Sequence, residues 1–167
     1  MEGAPIFSLF RGALPAVDLK GFYGILNSCT NLLIEMMENG KTFAEALEYG
    51  HQIGITETDP SADIDGWDAA IKVAALSTVL MGRPLKPAEV EREGIRSLTP
   101  EMIRDALKAG ERWKLVCSAH LDGDGVKARV APQRVNAHRP LYSINGTSSF
   151  VQFEMDTLPG LGIVESN

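Results

Sequence analysis

The stretch TETDPSADIDGWDAAIK, residues 56–72, holds most of the residues whose types and spacing can do chemistry. Glu57, Asp59, Asp63, Asp65 and Asp68 fall within twelve residues, and Lys72 closes the run before the apolar VAALSTVLMG. Three arrangements use such a cluster: a calcium loop, a helix cap and an active site. A calcium loop with Gly66 as its turn glycine would begin at Ser61 and end at Lys72. Such a loop needs an acidic first ligand and a bidentate glutamate as its last, so a serine and a cation at those places exclude it.

A cap explains only part of the run. Asp65 is placed to cap a helix that begins near Trp67, and Asp68 then lies in its first turn, where the helix dipole favours a carboxylate. Asp68 and Lys72 are four apart and share a helical face. An ordinary surface ion pair would suffice if the helix had a polar side. Ala69, Ala70, Ile71, Val73, Ala74, Ala75, Leu76, Val79 and Leu80 leave none, which predicts a helix buried all round. A lysine there is costly unless it is paired and hydrogen-bonded, and it marks a candidate working site. Glu57, Asp59 and Asp63 arrive from the preceding loop, at the mouth. Several carboxylates beside one lysine suit a ligand with a primary ammonium group and a reacting oxygen.

The elements that must position these groups follow from periodicity. LKGFYGILNS reads as a strand. CTNLLIEMMENG has Leu32, Leu33, Met36 and Met37 at helical spacing and stops at Asn39-Gly40. Thr42 and Glu45 form a capping box for the next helix, whose apolar face is Phe43, Ala46, Leu47 and Ile53. The helix with Lys72 comes third. AEVEREGIRSL reads as a short strand, and Thr99-Pro100 opens a fourth helix that ends at Gly110. RWKLVCSAHLD, GVKARVAPQRV, PLYSING and SSFVQFEMDTL then alternate apolar and polar residues between turns. The order predicts an α+β fold: a mixed, largely antiparallel sheet with helices packed on one face. GDGVKA, residues 123–128, matches a dinucleotide fingerprint in letters only, since a strand pattern follows it where a helix is required; it reads as a hairpin turn.

The 167 residues fit one domain, and the net charge of −6 with scattered Lys and Arg argues against nucleic acid and anionic membranes as partners. Cys29 and Cys117 lie far apart and read as reduced thiols, and His51, His120 and His138 are dispersed. No signal-peptide pattern and no span of about 20 apolar residues occurs. The cytoplasm is the expected location.

The run TETDPSADIDGWDAAIKVAAL resembles the signature of the homoserine dehydrogenase family. There a Glu, an Asp six later, a second Asp five later and a Lys four later form the substrate site. The same spacings fall here on Glu57, Asp63, Asp68 and Lys72. GFYGILNSCTNLLIEMMENGKTFAEALEYGHQIG resembles the family's strand, substrate loop and two helices, APIFSLFRGAL its preceding helix, and HRPLYSINGTSSFVQFEMD its late strands. The resemblance implies reduction of L-aspartate 4-semialdehyde to L-homoserine with NAD or NADP as cofactor, on the way to threonine and methionine. It implies that Lys72 donates a proton to the developing alkoxide or stabilises it, and that Asp68 orients Lys72. Glu57 and Asp63 would bind the substrate's amino group. The loop written Asn-Gly-Thr-Thr-Asn in many members is Asn27-Ser28-Cys29-Thr30-Asn31 here, so Cys29 and Thr30 would border the substrate. Residues 1–167 would then be one substrate-binding and dimerisation domain of a homodimer, with the nucleotide-binding domain ahead of it. A monovalent cation is implied around the junction just ahead of Gly3-Ala4-Pro5-Ile6. Two other readings stay open: a related oxidoreductase with a different substrate, given Ser28 and Cys29, and a non-catalytic binding or oligomerisation module.

Overall fold

The computed structural model describes residues 4–158 and 160–166, so the implied cation junction lies outside the described residues. The chain runs α1 (Ile6–Ala13), β1 (Leu19–Ile25), α2 (Ser28–Glu38), α3 (Phe43–Gln52), α4 (Ser61–Ile64), α5 (Trp67–Leu80), β2 (Glu91–Arg92), α6 (Pro100–Lys108), β3 (Glu111–Asp122), β4 (Gly125–Asn136), β5 (Ser149–Met155) and β6 (Leu161–Glu165). The strands form one sheet of order β2-β4-β3-β1-β5-β6. Every pairing is antiparallel except that of β2 with β4, which makes the sheet mixed, as the sequence predicts.

Alternation along the strands sorts the two faces of the sheet. Phe22, Cys117, Ala119, Val130, Val151 and Phe153 point to one face, where all six α-helices pack on them in a single core. Phe10 of α1 stacks edge-on against Phe153, with ring centroids 4.9 Å apart. Ile25, Val116, Val135 and Phe150 point the other way and meet Leu141 and Ile144 in a smaller cluster over one end of the sheet.

Local chemistry sets the boundaries that matter. The capping box of Thr42 and Glu45 starts α3, and Thr99 accepts from the Met102 N–H to start α6. Asp122 and Gly125 face each other across the β3–β4 hairpin, so GDGVKA is a turn entering a strand. PLYS is not a strand, as the alternation suggested, but a 3-10 turn over Pro140–Ser143. Proline cannot donate to a strand ladder, and Ser143 Oγ closes the turn on Pro140 O at 3.1 Å.

Helix α5 is also not buried all round. Ala69, Ala70, Val73, Ala74, Leu76 and Ser77 face the core, while Ile71 is 54% and Val79 59% exposed. The helices form the outer layer of a two-layer fold, so the far side of α5 has no layer above it among the described residues. No helix is long and apolar enough to cross a membrane among the described residues.

Candidate active site

The site is built where the N-terminus of α2 meets that of α5. Asn27 is the N-cap of α2, and its carboxamide is divided between two tasks. The oxygen caps the helix by accepting from the Thr30 N–H at 2.8 Å. The nitrogen donates to Asp63 Oδ1 at 2.6 Å and to Asp68 Oδ2 at 2.8 Å. An amide nitrogen has two protons, so both are committed, one to each carboxylate. Two carboxylates on one nitrogen are adjacent and repel each other. A dipole from the N-terminus of α2 and a nearby cation both lower that cost.

The cation is Lys72. Its Nζ donates to Asp68 Oδ2 at 2.8 Å and to the Leu26 carbonyl at 3.2 Å, the latter at the end of β1. The lysine side chain is 28% exposed and that of Asp68 33%. An ammonium has three protons. Two are engaged here, which leaves one for a ligand. Beside Lys72 lies a pocket of about 210 Å³ with apolar walls from Ile6, Phe7, Leu26, Ala75 and Leu76.

The loop residues take different parts. Cys29 is buried, and its thiol is pushed up to about 12, first by burial and then by the Asp63 carboxylate, which it hydrogen-bonds, with Asp68 adding to it. It is therefore a neutral thiol leaning on Asp63. Thr30 is fully buried, and its hydroxyl turns back to Asn27, 2.9 Å from Oδ1 and 3.2 Å from the backbone oxygen. It meets the cleft only through Asn27. Glu57 is exposed and is not joined to this set by any hydrogen bond or ion pair among the described residues.

Two of the five carboxylates lie outside this set and have other partners. Asp59 accepts from the Ser61 amide at 3.0 Å and its hydroxyl at 2.5 Å, which starts the single turn of α4 and holds Asp59 below its usual range. Asp65 does not cap α5, contrary to the sequence expectation. Gly66 occupies the N-cap position with φ +78°, a left-handed conformation that only glycine adopts freely. Asp65 instead pairs with Arg96, Nε to Oδ1 at 2.5 Å, which holds its carboxyl below the ordinary range. The left-handed turn at Gly66 swings the Asp65 side chain away from the helix it was expected to start.

Sequence reasoning missed Asn27, which joins the set together. A signal existed: an asparagine directly before a helical run is a cap candidate, and a cap side chain sits at the helix mouth.

Fold and cleft define a class: an α+β domain with two adjacent carboxylates and one lysine beside a small apolar-walled pocket. The chain belongs to the homoserine dehydrogenase family, whose family model matches residues 5–166. It is 34% identical over 174 residues to the NAD(+)-dependent homoserine dehydrogenase of Pseudomonas canavaninivorans, across 99% of this chain and 49% of that protein. Against the homoserine dehydrogenase of Neisseria gonorrhoeae it is 33% identical over 155 residues, 92% of this chain and 36% of that one. The chain thus spans half or less of the length of these relatives. Among solved structures, a homoserine dehydrogenase from Thiobacillus denitrificans superposes with TM-score 0.90 at 32% identity, over 98% of this chain and 38% of that one. A hyperthermophilic archaeal homoserine dehydrogenase mutant in complex with NADPH superposes with TM-score 0.78 at 28% identity, over 98% and 46%.

Proposed function

We propose that this chain is the substrate-binding and catalytic domain of a homoserine dehydrogenase, which interconverts L-aspartate 4-semialdehyde and L-homoserine. One observation carries the reading: Asn27 holds Asp63 and Asp68 together while Asp68 holds Lys72, leaving one Lys72 N–H unengaged. The reaction is proposed for the chain joined to a nucleotide-binding domain, since the relatives are at least twice as long.

The carboxylates select the substrate's ammonium group. Asp68 Oδ2 is occupied by Asn27 and Lys72, and Oδ1 has no partner among the described residues. Asp63 supplies the second charge, and the exposed Glu57 closes on the ammonium from the mouth. Lys72 meets the carbonyl oxygen with its remaining proton. As the carbonyl carbon is reduced, charge grows on that oxygen, and Lys72 Nζ passes its proton there, giving the alcohol. Solvent at the partly exposed Nζ restores the proton. Asp68 keeps the ammonium form aimed by its short hydrogen bond. Cys29 leans on Asp63, and Thr30 fixes Asn27.

NADP or NAD, when bound, supplies the hydride. The residues present fit a flat apolar ring: the pocket of Phe7, Leu26, Ala75 and Leu76 opens beside Lys72, and any further contact would come from the nucleotide-binding domain. On this reading the enzyme is a cytoplasmic homodimer that pairs through the helix-free face of the sheet, and its product leads to threonine and methionine.

The test is NADPH oxidation with L-aspartate 4-semialdehyde by the joined enzyme and its Lys72→Ala variant. A fall of about 100-fold in kcat/KM is expected for loss of a positioned acid. Wild-type rates in the variant would remove Lys72 from the mechanism.

A further inference from the structure

The distance between Asp63 and Asp68 depends on a bend, because α4 ends at Ile64 and α5 begins at Trp67. The inner side of the bend faces Asn27. Its outer side is covered by residues 91–96, the sequence EREGIR, which no catalytic role has used. We infer that residues 91–96 are a positioning clasp that sets the geometry of the Asp63–Asp68 pair, an inference that rests on the function proposed above.

Four independent contacts make the clasp. First, Ile95 N–H donates to the Ile64 carbonyl at 2.9 Å, an oxygen that α4 is too short to use. Second, the Arg92 guanidinium donates to the Asp65 carbonyl and lies over the Trp67 ring, 3.8 Å from its centroid. Third, Arg96 forks onto the Asp65 carboxylate at 2.5 and 3.3 Å and reaches Ser61 Oγ at 3.4 Å, so it spans the whole of α4. Fourth, Gly94 lets the two backbones touch. A Cβ there would lie 2.2 Å from Ile64 O and 2.6 Å from Asp65 Cα, so any side chain must push the bend away.

The clasp is itself anchored. β2 pairs with β4 in parallel, and the Glu93 N–H continues the ladder to Val130 O at 2.8 Å. Gly66, on the other side of the contact, has Arg92 Cγ and Val130 Cγ1 both 3.4 Å from the place its Cβ would occupy. The bend is therefore held between the sheet edge and Asn27. None of the clasp side chains bonds to Asp63, Asp68 or Lys72 among the described residues. They act through the backbone that carries those groups, at a scale where a shift of about 1 Å costs about 100-fold in rate.

The experiment uses the joined enzyme with Gly94→Ala, Arg96→Ala and Arg96→Lys. Each is measured for kcat and KM with L-aspartate 4-semialdehyde, for cooperative unfolding, and for the side-chain amide resonances of Asn27, assigned by their loss in Asn27→Asp. In a folded Gly94→Ala protein the Asn27 amide signals should move and kcat should fall about tenfold or more, with KM less affected. Arg96→Ala should do the same more weakly, about threefold to tenfold, and Arg96→Lys should recover only part of it, since it restores the charge at Asp65 but not the fork. Arg96 is 55% exposed at its side chain, so its removal tests the clasp even if Gly94→Ala does not fold. Unmoved Asn27 signals in folded Arg96→Ala overturn the clasp, and so does a kcat within about twofold of wild type. If instead no form turns over the semialdehyde but the Asn27 signals still move, the clasp stands and the proposed reaction is what fails.

Discussion

Two lysines lie near the start of α2, one joined to Asn27 through Asp68 and the other bonded to Asn31 one turn on, and they have opposite surroundings. Lys72 shares Asp68 with Asn27, has a carboxylate at 2.8 Å and keeps 28% of its side chain exposed. Lys114 of β3 is fully buried, and its Nζ donates only to neutral oxygens, Asn31 Oδ1 at 2.9 Å and Ile144 O at 2.6 Å. Burial pushes Lys114 down to about 8, and the Arg112 guanidinium adds to this against the pull of Glu38 and Glu35. A cation with a carboxylate, a pocket and solvent can give up a proton and regain it. A cation sealed among carbonyls has its Nζ spent on protein oxygens and serves to tie chain segments together. Burial of a lysine is thus a poor sign of chemistry; an unengaged proton facing a cavity is a better one.

The sharpest contrast should come from removing each lysine. Lys72→Ala is expected to cost about 100-fold in kcat/KM, whereas Lys114→Met should stay within about threefold for the molecules that remain folded. A large rate loss in a cooperatively folded Lys114→Met enzyme would erase the distinction. The second contrast is in stability against pH. The unfolded chain keeps the Lys114 proton up to its ordinary 10.5, while the folded protein releases it near 8. Between those values unfolding takes up a proton, so stability rises with pH, by about 3 kcal/mol at most for this group. Urea unfolding of wild type and Lys114→Met from pH 7 to 10.5 isolates it, since subtraction removes Arg112, Glu35, Glu38 and other background. A difference that stays flat with pH would show that Lys114 is not sealed. The asparagines should follow their lysines. Asn31→Ala leaves Lys114 with one partner and should cost about 2 kcal/mol with little change in rate. Asn27→Ala should cost about 1 kcal/mol as a lost cap, but about tenfold in kcat/KM as the carboxylates lose their shared donor. Equal rate effects from the two would refute the division.

The same two regions show what the sequence could reveal. The sheet, the main helices and the caps at Thr42 and Thr99 were legible because they rest on periodicity and on residues within four positions of each other. The Asp68–Lys72 pair was legible for the same reason. Asn27 was visible as a cap but not as a bridge, because Asp63 lies 36 and Asp68 41 residues away. Lys114 sits on the strand face that alternation marks as polar, and its Nζ is held by Asn31 of α2 and by Ile144, just past the turn at Pro140–Ser143. Asp65 was misread because the left-handed turn at Gly66 and the partner Arg96, 31 residues on, both lie outside any local pattern. In each case the missing information was a contact between distant segments.

The smallest expected effect tests how finely the reacting region is tuned. Cys29 and Cys117 are both pushed up to about 12, the first by burial and Asp63, the second by burial foremost. Both stay thiols at pH 8, so both should resist iodoacetamide in the folded protein and react on unfolding. Cys29→Ser keeps a proton donor on Asp63 and exchanges a weak S–H for a stronger O–H. The carboxylate keeps its charge and its bond to Asn27, so kcat/KM should change by less than about threefold. A tenfold change would mean that Asp63 answers to the strength of that one donor. The carboxylate pair would then be set from two sides, by the loop at Cys29 as well as by the bend at Gly66, and the contrast between the two lysines would need a third term.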